Sequence, residues 1–488
     1  MLAALSLATV LSLQGNWLGQ NAIPLSPSGK FSQYDDLKKL RSMLDGVRIV
    51  GMGEATHGTR EFFETKHRMF RFLVEEMGFR VFILEASMAG CLMMDDYVLG
   101  KKVDVKEAIY RQQFWTWSVV ELRELLEWMR EYNRTHAEKL RVFGNDMQNS
   151  EDPMVYFLSI KGRLKNFPND TKFPTQDAEW ESWLPLIKAQ LGEEEFRISE
   201  LVLATYRQAK GNDWISELRL LQQRVIPKMQ ETFSDAEKLL KELPNLDPAA
   251  RSGLEFVDQH KTKLVQEAEN TREGAQKMKE WKVALIAAQS KATSDKKLSE
   301  RIRLQVDLLD FLLFIGTMPK GLNPGNYRDQ CMATNSTTII ETVLPSSKAM
   351  IWAHNGHIGR AKFAQGFEAM GWHLDNLWKE KYVPLAFAFS EGSFRASDGN
   401  QVKTHKVGAS KGGLETLLRK EGPKEDFFLP VRGPSGLPDF LRPDLTSRQI
   451  GAIWNAQVEK VSTQPFNLPL WYDGLFFFHK TTSARALN

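Results

Sequence analysis

Acidic and imidazole side chains recur directly after apolar runs of this sequence, where buried strands would end. The runs are Val47–Met52, Arg80–Leu84, Arg141–Phe143 and Lys348–Trp352. The polar residues that follow them are Glu54, His57, Glu85, Asp146, His354 and His357. A buried carboxylate or imidazole is costly unless it is paired, so a set of them at one sheet edge favours chemistry over packing. We therefore predict an active site built from these residues.

The segment Gly53–Gly58, GEATHG, places Glu54 and His57 among small residues. Such residues let the backbone turn sharply and leave space for a ligand. Imidazole titrates near neutral pH, so His57 suits a general base, with Glu54 or Glu85 fixing its tautomer. The competing interpretation is a plain strand-to-helix turn capped by His57. The polar residues at the other strand ends favour the active site.

The segment Ala353–His357, AHNGH, carries two imidazoles three residues apart after another buried run. Two such groups could stabilise a developing oxyanion or bind a metal ion. The competing interpretation is a polar loop with one chance histidine. The remaining histidines lie in segments where the sequence shows no polar partner for them. Among them, we expect His67 to pack at the edge of the core. Phe114–Trp117 could line an apolar cleft, although aromatic clusters more often lie in the core.

Composition and absent motifs exclude several function classes. The net charge is +3, and no basic patch with interleaved aromatics suggests a nucleic-acid partner. The two cysteines, Cys91 and Cys331, cannot make a disulfide framework, and neither lies in a Cys-x-x-Cys motif. The sequence contains no H-E-x-x-H, Walker or G-x-G-x-x-G motif.

The elements that must position these residues alternate between strands and helices. Apolar runs of this length predict strands buried on both faces, and further runs occur at Pro384–Phe389, Phe427–Val431 and Leu475–Phe478. Helical spacing follows Gly58 until Gly78, and recurs over Val119–Tyr132. This alternation predicts an α/β fold with a mostly parallel sheet flanked by helices.

Between the two halves of this core, residues 168–316 are rich in Glu, Lys, Leu, Gln and Ala, which predicts a large helical insertion. The core halves are then residues 31–167 and 317–488. Residues 1–30 read as a candidate signal peptide and linker, which favours secretion or a periplasmic location over the cytoplasm. No segment is apolar enough to predict a membrane span.

Ordered blocks of the sequence resemble the erythromycin esterase family. The first block is Gly51–Ser87, GMGEATHGTREFFETKHRMFRFLVEEMGFRVFILEAS, and the resemblance covers roughly residues 35 to 480. The further blocks are Tyr97–Gly100, Phe114–Trp117, Gly144–Gln148, Tyr327–Asp329 with Met332, Ile351–Ile358, Phe389–Phe394 and Asp473–Leu475.

The resemblance implies hydrolysis of a cyclic ester, such as a macrolide lactone, by histidine-activated water without a covalent intermediate. His57 matches the family's base, and Arg328 lies in its Arg-Asp block. The essential acidic and histidine positions fall on Glu54, Glu85, His354 and His357. Lys66 stands where the macrolide-resistance enzymes carry arginine, and lysine keeps the charge but not the planar fork.

We therefore predict an ester hydrolase whose His57 deprotonates water while Glu54 and Glu85 orient it. His354 and His357 would steady the oxyanion, and the residues assigned to substrate binding are Arg328, Lys66, Asp146 and Trp117. We expect a metal-free site that needs no cofactor, because a metal-bound imidazole cannot act as the base. Two alternatives stay open: a metal-dependent hydrolase that uses the same residues as ligands, and a non-catalytic protein that binds a small molecule in the same cleft.

Overall fold

A computed structural model of the chain describes residues 17–148, 151–165, 177–210, 229–260, 272–292, 295–317, 324–360, 362, 366–431, 441 and 445–487. The apolar run of the candidate signal peptide lies outside these residues. None of the helices within them is long and apolar enough to cross a membrane.

Eleven strands are described. They are β1 Ile23–Pro24, β2 Ile49–Met52, β3 Val81–Ser87, β4 Arg141–Asp146, β5 Ala349–Trp352, β6 Tyr382–Ser397, β7 Val402–Val407, β8 Phe427–Pro430, β9 Leu445–Arg448, β10 Thr463–Phe466 and β11 Gly474–Thr481.

The α-helices of the described residues follow the same order. They are α1 Arg41–Leu44, α2 Arg60–Met77, α3 Met88–Val98, α4 Val105–Arg111, α5 Val120–Thr135, α6 Glu151–Arg163, α7 Asp177–Glu181, α8 Leu184–Leu191, α9 Glu193–Lys210, α10 Met229–Glu242, α11 Pro248–His260, α12 Arg272–Lys291, α13 Lys296–Thr317, α14 Pro324–Thr338, α15 Asn355–Ile358, α16 Met370–Trp378, α17 Gly413–Glu421, α18 Ala456–Val461 and α19 Leu468–Trp471.

Nine of the strands form one mixed sheet in the order β1-β8-β11-β6-β2-β5-β3-β4, with β7 paired to β6. The pairs from β11 through β6, β2, β5 and β3 to β4 are all parallel. Strand β8 pairs antiparallel with β11 and with β1, and β7 pairs antiparallel with β6. The predicted α/β class with a mostly parallel, helix-flanked sheet is confirmed.

Alternate side chains of the central strands enter two separate cores, one on each face of the sheet. Ile49 and Ile351 belong to the first core, whereas Val50 and Trp352 belong to the second. Helix α2 covers the second face, because its Phe62, Met69, Phe70 and Leu73 recur at helical spacing and are buried. It ends at Gly78, whose φ of 74° provides the left-handed cap that favours glycine.

Contacts divide the chain into two compact units, residues 1–211 with 325–488, and residues 212–324. The first unit holds the sheet and also helices α7 to α9, which lie within the predicted insertion and supply Trp180 and Ile187 to the first core. The second unit contains helices α10 to α13 and has its own core around Leu254, Leu285 and Leu309. Within it, Arg301 Nη2 lies 2.7 Å from Asp235 Oδ1.

Gly144 on β4 tests the packing of β3 against β4, because the backbone of β3 occupies the space where a side chain at this position would lie. A Cβ on Gly144 would lie 2.3 Å from the Ala86 carbonyl oxygen and 2.5 Å from that of Ser87. We expect Gly144→Ala to lower the free energy of unfolding by about 2 kcal/mol or more, measured by urea denaturation. The control is Gly162→Ala at an exposed position near the end of α6, where nothing lies within 4 Å; it should be neutral or stabilise by up to about 1 kcal/mol. Equal stabilities of the two variants would contradict this packing.

Candidate active site

The carboxyl ends of β2, β3, β4 and β5 bring the predicted acidic and histidine residues together in a network of two hydrogen-bonded groups, one around Glu54 and one around Glu85. Glu54 and His57 follow β2, Glu85 lies two residues before the end of β3, Asp146 ends β4, and two histidines follow β5. Helix α14 adds Arg328 to the same edge. Ligands of parallel sheets bind at this edge, so the network is the candidate active site.

His57 and Glu54 form a buried pair at the turn after β2. His57 Nδ1 lies 2.5 Å from Glu54 Oε1, and the exposed fractions of the two side chains are 12% and 0%. An ionised carboxylate only accepts hydrogen bonds, so Nδ1 carries the proton and donates it to Glu54. In the neutral form of the ring, this leaves the lone pair on the other nitrogen, Nε2.

Two further donors bind the second oxygen of Glu54. Lys66 Nζ donates to Oε2 at 2.6 Å, and Trp352 Nε1 donates to the same oxygen at 2.7 Å. Burial alone would raise the pKa of Glu54, but Lys66 and His57 outweigh it and lower the pKa to about 2. Burial lowers the pKa of Lys66 to about 8 despite the attraction of Glu54. Both groups are therefore charged at neutral pH.

Glu85 organises the other half of the site. Its Oε1 accepts from Arg328 Nη2 at 2.8 Å and lies 3.3 Å from His357 Nε2. Its Oε2 accepts the backbone N–H of His354 at 2.9 Å. Burial raises the pKa of Glu85, but the charges of His357 and Arg328 hold it well below its usual range. Arg328 also donates to Asp146 Oδ2 at 2.8 Å through the same Nη2.

His357 lies between two carboxylates. Its Nδ1 is 2.8 Å from Asp329 Oδ1, and its Nε2 faces Glu85 and Arg328. Burial would lower the pKa of His357, but Asp329 and Glu85 outweigh it and raise the pKa to about 10. His357 is therefore a cation at neutral pH, with Nδ1 on Asp329 and Nε2 3.3 Å from Glu85.

His354 has the opposite character. Burial, reinforced by repulsion from His57 and His357, lowers the pKa of His354 to about 3, so the ring is neutral. Its Nδ1 accepts the Gly356 N–H at 3.2 Å, which places the single ring proton on Nε2. That Nε2 is buried and has no hydrogen-bond partner among the described residues. The centres of the His354 and His57 rings are 5.3 Å apart, so this unused donor lies beside the candidate base.

Three residues that we predicted to bind substrate are buried and contact other residues of the site. The Lys66 ammonium is completely buried on Glu54 and lies 4.2 Å above the Trp352 ring. Trp117 is 1% exposed, and its indole donates to the Glu85 carbonyl oxygen at 3.0 Å. Asp146 is 1% exposed and holds Arg328. Each is placed to orient another residue of the site.

Two residues of the network were not singled out by sequence reasoning. Asp329 orients His357. The sequence signal for Asp329 was the Arg328-Asp329 pair, of which only Arg328 was assigned to the site. Trp352 binds Glu54 from the last position of β5, where an apolar run gives no sign that an indole N–H faces an acid. Within the described part of the chain, no group of three or more His, Cys, Asp or Glu side chains is arranged to hold a metal ion.

The sequence of this chain is similar to sequences of known proteins. The family model described as erythromycin esterase matches residues 74–481. Erythromycin esterase type II of Escherichia coli is 30% identical over 131 residues, which is 27% of this chain and 31% of that protein. YbfO of Bacillus subtilis strain 168, which is named as a hydrolase, is 25% identical over 420 residues, 83% of this chain and 78% of its own. The match thus spans about a third of the Escherichia coli enzyme but most of YbfO.

A solved structure shares the fold. The crystal structure of a succinoglycan biosynthesis protein superposes with a TM-score of 0.60 at 17% identity, covering 98% of this chain and 99% of that one. At this identity the likeness concerns the architecture of the sheet and its helices alone.

The raised pKa of His357 predicts a pH-dependent stability. Protonation in the folded state stabilises the protein fully below the unfolded pKa of about 6.5, and this contribution is lost as pH rises through about 10. We expect the stability difference between wild type and His357→Gln to shrink by on the order of 3 kcal/mol from pH 6.5 to pH 10. Urea denaturation at several pH values measures it.

The same substitution at exposed His136 is the matched control and should show no such trend. A difference between wild type and His357→Gln that stays constant over this pH range would contradict the assignment of His357 as a cation.

Proposed function

The chain belongs to the erythromycin esterase family, and from this premise we propose that it hydrolyses a cyclic ester with water activated by His57. One observation carries the proposal. A base with a free lone pair, His57 on the buried Glu54, lies beside an unused neutral donor, His354 Nε2–H. Ester hydrolysis needs this combination, since a proton must leave water while negative charge develops on the carbonyl oxygen.

In the first step His57 Nε2 accepts a proton from water, and the resulting hydroxide oxygen bonds to the ester carbonyl carbon. The imidazolium that forms is stabilised by Glu54, which remains ionised because Lys66 and Trp352 hold its other oxygen. Lys66 therefore acts as a positioning residue for the base.

The carbonyl π-electrons move to oxygen, and His354 donates its Nε2 proton as a hydrogen bond to this oxyanion. A neutral donor that is unpartnered before reaction needs no reorganisation when the charge appears. Arg328 and protonated His357 add positive charge at the same edge. We assign substrate binding to Arg328, which lies between Glu85 and Asp146.

In the second step the oxyanion collapses, the bond from carbon to the alcohol oxygen breaks, and His57 returns its proton to that oxygen. The products are an acid and an alcohol, which stay in one molecule when the ester is cyclic. The cysteines are poorly suited to a covalent intermediate, since burial raises the pKa of Cys331 to about 11 and holds the pKa of Cys91 well above its usual value.

The substrate is the least specified part of the proposal. The Escherichia coli relatives are named as erythromycin esterases, so macrolide lactones are the first cyclic esters to assay. Because the match to these enzymes spans about a third of their length, simple lactones and aryl esters belong in the same screen. The alternative of a binding protein predicts tight ligand binding with no turnover in that screen.

Replacement of the base tests the mechanism. We expect His57→Ala to lower kcat/KM by about 10²- to 10⁴-fold or more, because His57 both removes a proton and generates the nucleophile. The assay is turnover of the best ester from the screen, with folding checked by circular dichroism. His136→Ala, at an exposed position after α5, is the control and should keep full activity. Near-normal turnover by folded His57→Ala protein would refute the role of His57.

Chelation tests the metal-free form of the mechanism against the metal-dependent alternative. The oxygens of Glu54 and Glu85 already accept bonds from Lys66, Trp352, Arg328 and the His354 backbone, and these donors compete with any cation. We expect activity to change less than about twofold after treatment with EDTA. Stoichiometric zinc or manganese by elemental analysis, with activity lost on chelation and restored by the metal, would make His57 a ligand rather than a base.

A further inference from the structure

Arg395 lies beside the candidate active site but takes no part in its network. Strand β6 pairs with the last residue of β2 at Leu385 and continues past that strand, paired with β11 as far as Gly392 and then with β7. On this continuation, the backbone N–H of Arg395 donates to the carbonyl oxygen of Gly58 at 2.9 Å. Gly58 directly follows His57, so Arg395 is fixed against the catalytic turn.

The guanidinium of Arg395 is half-buried and has no anionic partner. Within the described residues it makes no hydrogen bond or ion pair, and its Nη1 is buried without an acceptor. Glu121 is the nearby carboxylate that attracts it. However, Arg485 binds Glu121 through its backbone N–H and, at 2.8 Å, through its Nε. Glu121 is therefore already paired.

Other buried arginines of the same unit are each paired with a carboxylate. Arg141 binds Asp95, Arg328 binds Asp146, and Arg360 binds Asp473. Burial lowers the pKa of Arg395, whereas the carboxylates outweigh burial and raise the pKa of each paired arginine. An uncompensated guanidinium in this setting is costly, so an anion that reaches it is favoured.

An aromatic ring completes the surroundings of this cation. The Arg395 guanidinium lies 5.9 Å from the centre of the Trp115 ring, which is itself only partly buried. Trp115 begins the short turn Trp115–Trp117, whose last residue binds the backbone of Glu85. The ring and the guanidinium thus stand on segments that are both bonded to the candidate active site. A planar fork beside a flat ring suits a carboxylate on a flat or apolar group.

We propose that Arg395 and Trp115 form a subsite for a carboxylate, so that the substrate is an ester that also carries a carboxylate group. The substrate assignment rests on the proposed ester hydrolysis, whereas carboxylate binding does not. The bound carboxylate would accept a hydrogen bond from Nη1 and neutralise the guanidinium. A neutral ester would leave the Nη1 hydrogen bond unmade and the guanidinium charge without a counter-ion, so the subsite selects for the anion.

Calorimetric titration with para-nitrobenzoate and with its neutral analogue para-nitrobenzamide tests the subsite directly. We expect wild type to bind the benzoate at least about tenfold more tightly than the amide. Arg395→Met should abolish this preference, and Arg395→Lys should restore part of it, since lysine keeps the charge without the fork. Arg134→Met is the matched control, because Arg134 is an exposed arginine near the far end of α5; it should keep the wild-type preference.

Ester turnover provides the second readout. For the para-nitrophenyl monoester of succinate and for para-nitrophenyl butyrate, we expect the ratio of their kcat/KM values to fall about 10- to 100-fold in Arg395→Met. Equal benzoate affinity in wild type and folded Arg395→Met would overturn the subsite, whether or not esters are cleaved. Benzoate binding that depends on Arg395 in a protein that cleaves no ester would overturn the proposed hydrolysis and leave the carboxylate subsite in place.

Discussion

The ionised carboxylate of Glu54, completely enclosed at the end of β2, is the constraint on which the site depends. A buried charge of this kind costs several kcal/mol unless donors surround it. Its donors come from three separate elements: His57 from the turn, Lys66 from α2 and Trp352 from β5. Glu54 can therefore orient the proposed base only when α2 is packed in place and β2 is paired with β5.

The charges of the site divide its histidines into three roles. His357 lies between Asp329 and Glu85 and is held as a cation, whereas His354 faces other imidazoles in a buried position and is held neutral. His57 is paired with Glu54 through Nδ1, and the proposed mechanism uses its second nitrogen to activate water. Three identical side chains thus differ because their neighbours differ, and in the proposed mechanism they supply a base, a neutral donor and a fixed positive charge.

Sequence reasoning located the ends of β2 and β5, because a polar residue after an apolar run marks the sheet edge, as at Glu54 and His354. It ended the third run at Leu84, whereas β3 continues through Glu85 to Ser87. It also predicted β6 as Pro384–Phe389, whereas β6 extends over Tyr382–Ser397, and its more exposed second half pairs with β11 as far as Gly392 and then with β7. The burial of Lys66 carried no signal either, since a lysine in an amphipathic helix normally faces solvent and only the tertiary position of Glu54 accounts for it.

The burial of Lys66 also changes what its identity means. Its ammonium binds one oxygen of Glu54 above the Trp352 ring, with no part of it open to a ligand. A compact ammonium fits this single-oxygen contact, whereas the planar fork of arginine would need a second acceptor. The lysine at this position therefore contacts Glu54, the partner of His57, and has no surface open to a ligand. Under the proposed function, recognition belongs to groups that remain open at the edge, and among the described residues we propose the half-buried Arg395, whose guanidinium has no partner there.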